Sequence, residues 1–577
     1  MNCCFSVYQG PHPMNPIRKI RDSSGSSKQI IMKHPNSLLP SLVALTNLAL
    51  LPFADAQFGK STYVVPEGMV EGGQFIHRFL PMKPNAPLRS DVWGVDAVKP
   101  RDASNGVEDA EFSYWCTSVV KGPDGKYHNF VVRWPEKSPK GHFEWPNSDV
   151  VHAVSDKPSG PYKVIKEIGK GHNVTAYQAK TGTWILYIIN GCYRGPSLDG
   201  PWTRGTLSFD TRGRSNVDMS NCTFARRSDG SYLMVSRTGE VWISKDGDKE
   251  PYRRVSNRSA YPAVSKARFE DPVVWKDDVQ YNLIVNDWFG RAAYYLRSRD
   301  GQRWDWDQGL AYGPGIFRRE DGTSEDWHKI ERPRVIQDEV GRATHMLFAV
   351  IDDAKEVDKP NDNHSSKAIV VDVTAPRTIH VRKDGDRFQV AIEGGKDIDA
   401  KSMRFGAPSR VDFGKAAAPL SVKTNGTRLI AEFSDGDCGF ETKDQTAKLI
   451  AKDLKGGLIF GYAALPSEPA EYPLLSAHGS IAAGDVRNNK RELKVTVENF
   501  GLAESSATTV DLTIRPDGRE PVKLSESLPA LAPYAAREVV FQVAADALPP
   551  GAAPKAEIAI KSATAGDVLN VTLPKLP

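Results

Sequence analysis

A plan about fifty residues long recurs five times in the N-terminal two-thirds of this chain of 577 residues. Each unit opens on a short polar or acidic motif, runs on as an apolar strand, reverses at a Gly or Asp turn and returns on an aromatic-led strand. The openings are Trp115-Cys116, His172-Asn173, Ser220-Asn221, Glu270-Asp271 and Glu331-Arg332. The leading aromatic of the return strand stands twelve residues on at Tyr127, Trp184 and Tyr232, and eleven on at Tyr281. A fixed offset implies the same hairpin each time, with Asp124-Gly125, Thr181-Gly182 and Asp229-Gly230 supplying the positive φ of the turn. Gly160-Pro161-Tyr162, Gly200-Pro201-Trp202, Pro251-Tyr252 and Gly301-Gln302-Arg303-Trp304 close successive units. Each unit therefore reads as a four-stranded antiparallel blade, and five of them as an all-β, five-bladed β-propeller. The competing fold is a β-sandwich, which gives no reason for the constant offset.

Composition agrees with turns and sheets. The chain has 47 Gly, 40 Pro, 12 Trp and 18 Tyr. With 75 basic and 71 acidic residues, the balance excludes a nucleic-acid groove or a membrane surface as the default partner. No apolar run reaches the ~18–20 residues of a membrane span. The segment Leu38 to Phe53 follows Met32-Lys33-His34 and ends in Ala54-Asp55-Ala56. A basic start, a short apolar stretch and a small-x-small end predict an export signal cleaved before Gln57, with the true start near Met32. Residues 1–56 are therefore set aside, and the remaining chain is near neutral and secreted or periplasmic. It keeps Cys116, Cys192, Cys222 and Cys438, which could pair as disulfides or stay as buried thiols.

The propeller is expected over 57–372. Beyond it, residues 373–465 alternate as Phe388-Val390-Ile392 and Leu429-Ala431-Phe433. Residues 474–577 alternate as Leu493-Val495-Val497, Val510-Leu512-Ile514 and Val539-Phe541-Val543. Both stretches read as β-sandwich modules of immunoglobulin-like size, with Pro466 to Pro473 as a linker.

In a propeller the innermost strands start around one central funnel, so the five openings should surround one pocket. That ring would hold an aromatic platform (Trp115), hydrogen-bonding groups (His172, Asn173, Asn221), three carboxylates (Glu270, Asp271, Glu331) and a guanidinium (Arg332). Such a set suits a hydroxyl-rich sugar. Glycoside hydrolysis needs two carboxyl groups flanking the scissile bond, ~5 Å apart for retention and ~6.5–9.5 Å for inversion. Glu270 is the candidate general acid, since a neighbouring carboxylate would keep it protonated. Glu331 is either the base or a structural partner of Arg332 or another Arg. Asp271 follows Glu270 directly and in a strand points the other way, so a turn or backbone-binding role is expected for it. His172 stands as a general base, a hydroxyl ligand or a satisfied buried histidine. Asn173 and Asn221 open N-x-Thr sequons whose funnel placement argues against glycosylation. Trp134 and Trp145 form either a rim platform or inter-blade packing. No spacing predicts a cofactor or a metal motif; a structural Ca2+ ion or a water on the axis stays open.

The Asp-Gly-x-Tyr hairpins, the Gly-Pro-aromatic turns, His172-Asn173, Phe269-Glu270-Asp271-Pro272 and Ile330-Glu331-Arg332-Pro333 resemble the five-bladed propellers related to family 43 glycoside hydrolases, over roughly residues 85–372. The resemblance implies exo- or endo-acting hydrolysis of plant or algal polysaccharides by an Asp base, an Asp modulator and a Glu acid. Glu270 matches the acid. The base position holds Trp115-Cys116 and the modulator position Ser220-Asn221, while the nearest acids, Asp109, Glu111 and Asp218, fall off the motif. The base then comes from elsewhere (Glu331, His172 or Asp149), or the chemistry differs. The expected function is a secreted, exo-acting glycoside hydrolase. The alternatives are a polysaccharide lyase using His172 and Arg332 on a uronate, and a carbohydrate-binding propeller that has lost its base.

Overall fold

The computed structural model describes residues 63–577 apart from 216–217, 289–290, 549–550, 552, 562–567 and 576–577. The expected export signal lies outside the described residues. Among those described, no helix is long and apolar enough to cross a membrane.

Five antiparallel sheets follow one another along the chain. The first orders Phe112–Lys121, Tyr127–Pro135, Asp149–Ser155 and Lys163–Lys170. The second orders Thr175–Gln178, Trp184–Ile188, Gly191–Gly195 and Thr203–Gly205. The third orders Thr223–Arg226, Tyr232–Val235, Val241–Ser244 and Tyr252–Arg254, and adds Phe209–Asp210 in parallel at its outer edge. The fourth orders Phe269–Lys276, Tyr281–Asp287, Ala292–Ser298 and Asp305–Tyr312. The fifth has only Lys329–Gln337, Ala343–Ile351 and Ser366–Asp372. The expectation of four strands in every unit is thus corrected at two places. In the fifth sheet the outer edge is met by single bridges from residues ahead of the first sheet, Val107 to Ala368 and Phe79 to Val373. Those segments are too short to show strand alternation, yet they cover an edge that would otherwise stay unpaired. The hairpin turns form as expected, with Gly125 and Gly230 at φ 81° and 85°.

Each strand sends alternate residues to opposite faces, and in the inner strands both faces are buried. Phe130 and Val132 join a cluster with Leu186 and Ile188 of the second sheet. Val131 between them joins Leu347 and Val370 of the fifth. Tyr177 and Ile185 meet Met234 and Trp242 across the second and third sheets. Leu233 and Ile243 meet Leu283 and Leu296 across the third and fourth. Trp275 and Ile284 meet Phe348 and Val350 across the fourth and fifth. Every pair of successive sheets, the last and first included, shares an apolar cluster. Their first strands also touch in the same order: 112–121 meets 175–178 and 329–337, and 269–276 meets 223–226 and 329–337.

Two further units follow. In one, the sheet holding Arg387–Ile392 and Arg428–Ser434 shares a core with the sheet holding Ile398–Gly406, Thr446–Asp453 and Leu458–Ala464. In the other, the sheet around Lys490–Asn499 and Ala536–Ala544 shares a core with the sheet around Thr508–Arg515 and Lys555–Ile560. Buried cations fasten both to the sheets before them. Arg297 binds Asp307 and the Thr446 hydroxyl at 2.9 Å, and Arg212 and Arg214 both donate to Ser476 Oγ.

Candidate functional site

Three of the five first strands are bulged at their opening pair: the pairing register slips between Trp115 and Ser118, Glu270 and Val273, and Glu331 and Arg334. Inside each bulge the second residue of the pair is left-handed, with φ 49° at Cys116, 54° at Asp271 and 55° at Arg332. Asn173, at the equivalent position ahead of Thr175, has φ 58°. Each such residue costs roughly 1–3 kcal/mol and persists only where its surroundings hold it. A bulge also breaks strand alternation and re-aims a side chain. Asp271 therefore does not turn away from the other openings, as plain alternation required.

The second residues of all five pairs make one hydrogen-bonded chain. The Cys116 thiol donates to Asn173 Oδ1 at 3.1 Å. Asn173 Nδ2 donates to Asn221 Oδ1 and to the Ser220 carbonyl. Asn221 Nδ2 donates to Asp271 Oδ1 at 3.0 Å and to Glu270 Oε1 at 3.1 Å. Asp271 Oδ1 pairs with Arg332 Nη1 at 2.5 Å, and its Oδ2 accepts from the Arg332 backbone N–H at 3.3 Å. One residue from each sheet is present, and Cys116, Asn173, Asn221 and Asp271 are all buried. Cys116 was legible only as the second member of an opening pair, a position shared by all five ring members.

Three carboxylates, one in this chain and two beside it, are in different states. Burial pushes Asp271 up to about 7; Arg332 opposes the shift, and Glu270 and Glu331 add to it. Glu331 is buried and bound to Lys355 Nζ at 2.7 Å, so its partner is a lysine of the following loop rather than an arginine. Against the push of burial, Lys355 and then Lys329 hold the Glu331 carboxyl below the usual range. The Glu270 side chain keeps 18% of its exposure and pairs with Arg237 Nη2 at 3.1 Å, so the group that meets it is a guanidinium and not the carboxylate expected beside it. The other terminal nitrogen of Arg237, Nη1, holds Asp218 Oδ2 at 2.6 Å. Sequence reading left Asp218 off the motif and missed Arg237, which sits in the turn between Tyr232–Val235 and Val241–Ser244 and carries no repeat signal.

His172 is buried behind the ring. Its Nδ1 lies 2.9 Å from Ser148 Oγ and its Nε2 3.7 Å from Cys116 Sγ. Burial, with Arg332 and Lys355 nearby, keeps it neutral, well below the ordinary imidazole value. Trp145 is half-buried with its ring 4.8 Å from the imidazole. Trp134 is fully buried in the cluster shared by the first and second sheets, so it packs between sheets and forms no rim. Trp115 is also buried, with Lys355 Nζ 4.9 Å above its ring. Asp149 is tied to Lys170 at 2.8 Å. The four described cysteines are all unpaired buried thiols, and burial pushes Cys116 up to about 12. Among the described residues, metal-ligand side chains converge at two places, both outside the ring: His128, His152 and Asp199, and Glu136, Asp358 and Asp362. The first spends its donors internally, since His128 Nδ1 and His152 Nε2 lie 2.9 Å apart.

No family model matches the chain, and no curated protein matches it. Solved structures do. A protein of unknown function from Dyadobacter fermentans is 11% identical, with 57% of this chain and 97% of that one covered and a TM-score of 0.30. The GH43 BlXynB protein from Bacillus licheniformis is 9% identical over 80% of this chain and 83% of its own, at a TM-score of 0.29. A thermostable family-43 glycoside hydrolase is 8% identical over 53% and 96%, also at 0.29.

Proposed function

We propose that the five sheets form a five-bladed β-propeller, that the two following units are immunoglobulin-like sandwiches, and that the chain is an exported glycoside hydrolase acting from the chain end of a polysaccharide or oligosaccharide. The observation that carries the chemistry is the Arg237 guanidinium held between Glu270 and Asp218. Two partly exposed carboxylates on one guanidinium are compatible with the ~5–9.5 Å spacing that carboxylate pairs use in glycoside hydrolysis. Glu270 serves as the acid that protonates the departing oxygen, and Asp218 as the second carboxylate. Arg237 positions both. The buried ring fixes Glu270 through Asn221. Glu331, bound to Lys355 and buried, is a positioning residue in this reading.

Glu270→Gln is expected to lower release of reducing sugar by about 10²–10⁴-fold while leaving sugar binding nearly intact. Asp218→Asn should follow it, and Glu331→Gln should not. Unchanged turnover in Glu270→Gln overturns the assignment. Ultraviolet-absorbing, unsaturated products would instead mark a lyase, for which the neutral His172 near Arg332 would be the base. Glycan binding without turnover in the native chain would mark a binding propeller.

A further inference from the structure

The seam where the first and fifth sheets meet carries a second group of carboxylates, whose nearest cationic neighbour, His364, is paired with Asp352 instead. Glu136 follows the strand Tyr127–Pro135 of the first sheet; Asp358 and Asp362 lie in the loop between Ala343–Ile351 and Ser366–Asp372 of the fifth. One carboxylate oxygen from each comes within 4.8 Å of the others. Asp358 is 2% exposed, and neither of its oxygens has a hydrogen-bond partner. Glu136 Oε1 is likewise buried and unpartnered, while its Oε2 accepts from Ser113 Oγ at 2.8 Å. The Asp362 oxygens accept from the backbone N–H groups of Lys359 and His364, both at 2.7 Å, which fixes the carboxylate in place. Among the described residues none of the three is ion-paired.

Bringing like charges together out of water is unfavourable unless a cation or protons neutralise them. The backbone at this place is built close. A Cβ on Gly141 would stand 1.9 Å from the Asp358 carbonyl oxygen, so the segment Gly141–Asn147 lies directly on the loop. Asn361 also donates its N–H to the Glu136 carbonyl. Glu136 and Asp362 line a cleft of about 300 Å³ together with Trp93, Asp109 and Ser365, giving an ion and its waters a way in; the cation that also lines it, Arg89, is paired with Asp91 at 2.9 Å.

We propose that Glu136, Asp358 and Asp362 bind a hard divalent cation, Ca2+ or Mg2+, that clasps the last sheet to the first. All the donors are oxygens, the ligand type of these two ions, and water from the cleft completes the shell. The same loop carries Lys355, which reaches Glu331 and the face of Trp115, so the clasp also holds a residue that lines the ring. This site is separate from Glu270 and Asp218 and does not depend on the hydrolase reading.

The test uses the full chain, stripped with EDTA and dialysed. Calorimetric titration with CaCl2, and separately with MgCl2, is expected to show one ion bound per chain with at least one of the two. Saturation with that ion, at about a hundred times its Kd, raises the thermal midpoint by about 5 °C. Asp358→Asn and Asp362→Asn, each checked for folding by circular dichroism, lose that rise. The two titrations distinguish Ca2+ from Mg2+. Absence of binding by both ions at 10 mM, on the order of extracellular Ca2+ affinities and above, overturns the site and leaves protonated carboxyls as the neutralising device. An undiminished rise in Asp358→Asn overturns it as well, because the ion then binds elsewhere.

Discussion

Buried carboxylates occur at the ring and at the seam, and the chain treats them differently. At the ring Asp271 has Arg332 at 2.5 Å and Glu331 has Lys355 at 2.7 Å. At the seam Asp358 has no ion-pair partner: burial, then Glu136, Asp362 and Asp352, push it up to about 8, with His364 opposing the shift. A buried negative charge needs a positive partner, a proton or a bound cation. Where the sequence supplies the partner, the carboxylate is a fixed part of the architecture. Where it does not, the site is left to the solution, and its stability should depend on pH and ions.

The sharpest way to break this contrast is to remove a partner at the ring. Arg332→Met leaves Asp271 buried beside two more carboxylates and should cost about 3–5 kcal/mol in denaturant unfolding; a loss under about 1 kcal/mol would mean that Asp271 is neutral in the folded chain. Removing the uncompensated charge should act the other way. Asp358→Asn is expected to stabilise the EDTA-treated chain by about 1–4 kcal/mol at pH 8, and the gain should shrink towards pH 4.

That sign follows from linkage. The folded carboxyl of Asp358 is raised above its ordinary value, so its contribution is full below about pH 4 and is lost as pH rises through about 8. Thermal midpoints of the ion-free chain should therefore fall across that window, and saturating Ca2+ or Mg2+ should flatten the fall. A profile identical with and without ions would erase the distinction between the two regions. The smallest effect belongs behind the ring. Ser148→Ala removes the hydroxyl 2.9 Å from His172 Nδ1 and should cost about 1 kcal/mol while leaving turnover nearly unchanged.

The fifty-residue plan made the hairpins legible because a turn at Gly125 or Gly230 needs a positive φ that sequence announces. The irregular cover of the fifth sheet was not legible, since single bridges at Val107 and Phe79 leave no alternation. At the candidate site, the opening pairs were visible but their orientation was not. Strand alternation put Glu270 and Asp271 on opposite sides, whereas the bulge at Glu270/Val273 sets Asp271 in the ring and leaves Glu270 beside Arg237.

By itself the sequence determined that strands, turns and opening motifs repeat five times, because periodicity and turn chemistry are local properties of the chain. It also determined which residue types stand at each opening. Only the tertiary structure decided which of them meet. Lys355 reaches Glu331, Arg237 joins Asp218 to Glu270, and Asp358 meets Glu136 because the last sheet packs against the first. Asp358 and Glu136, more than two hundred residues apart, meet only across that seam, and no local pattern encodes it.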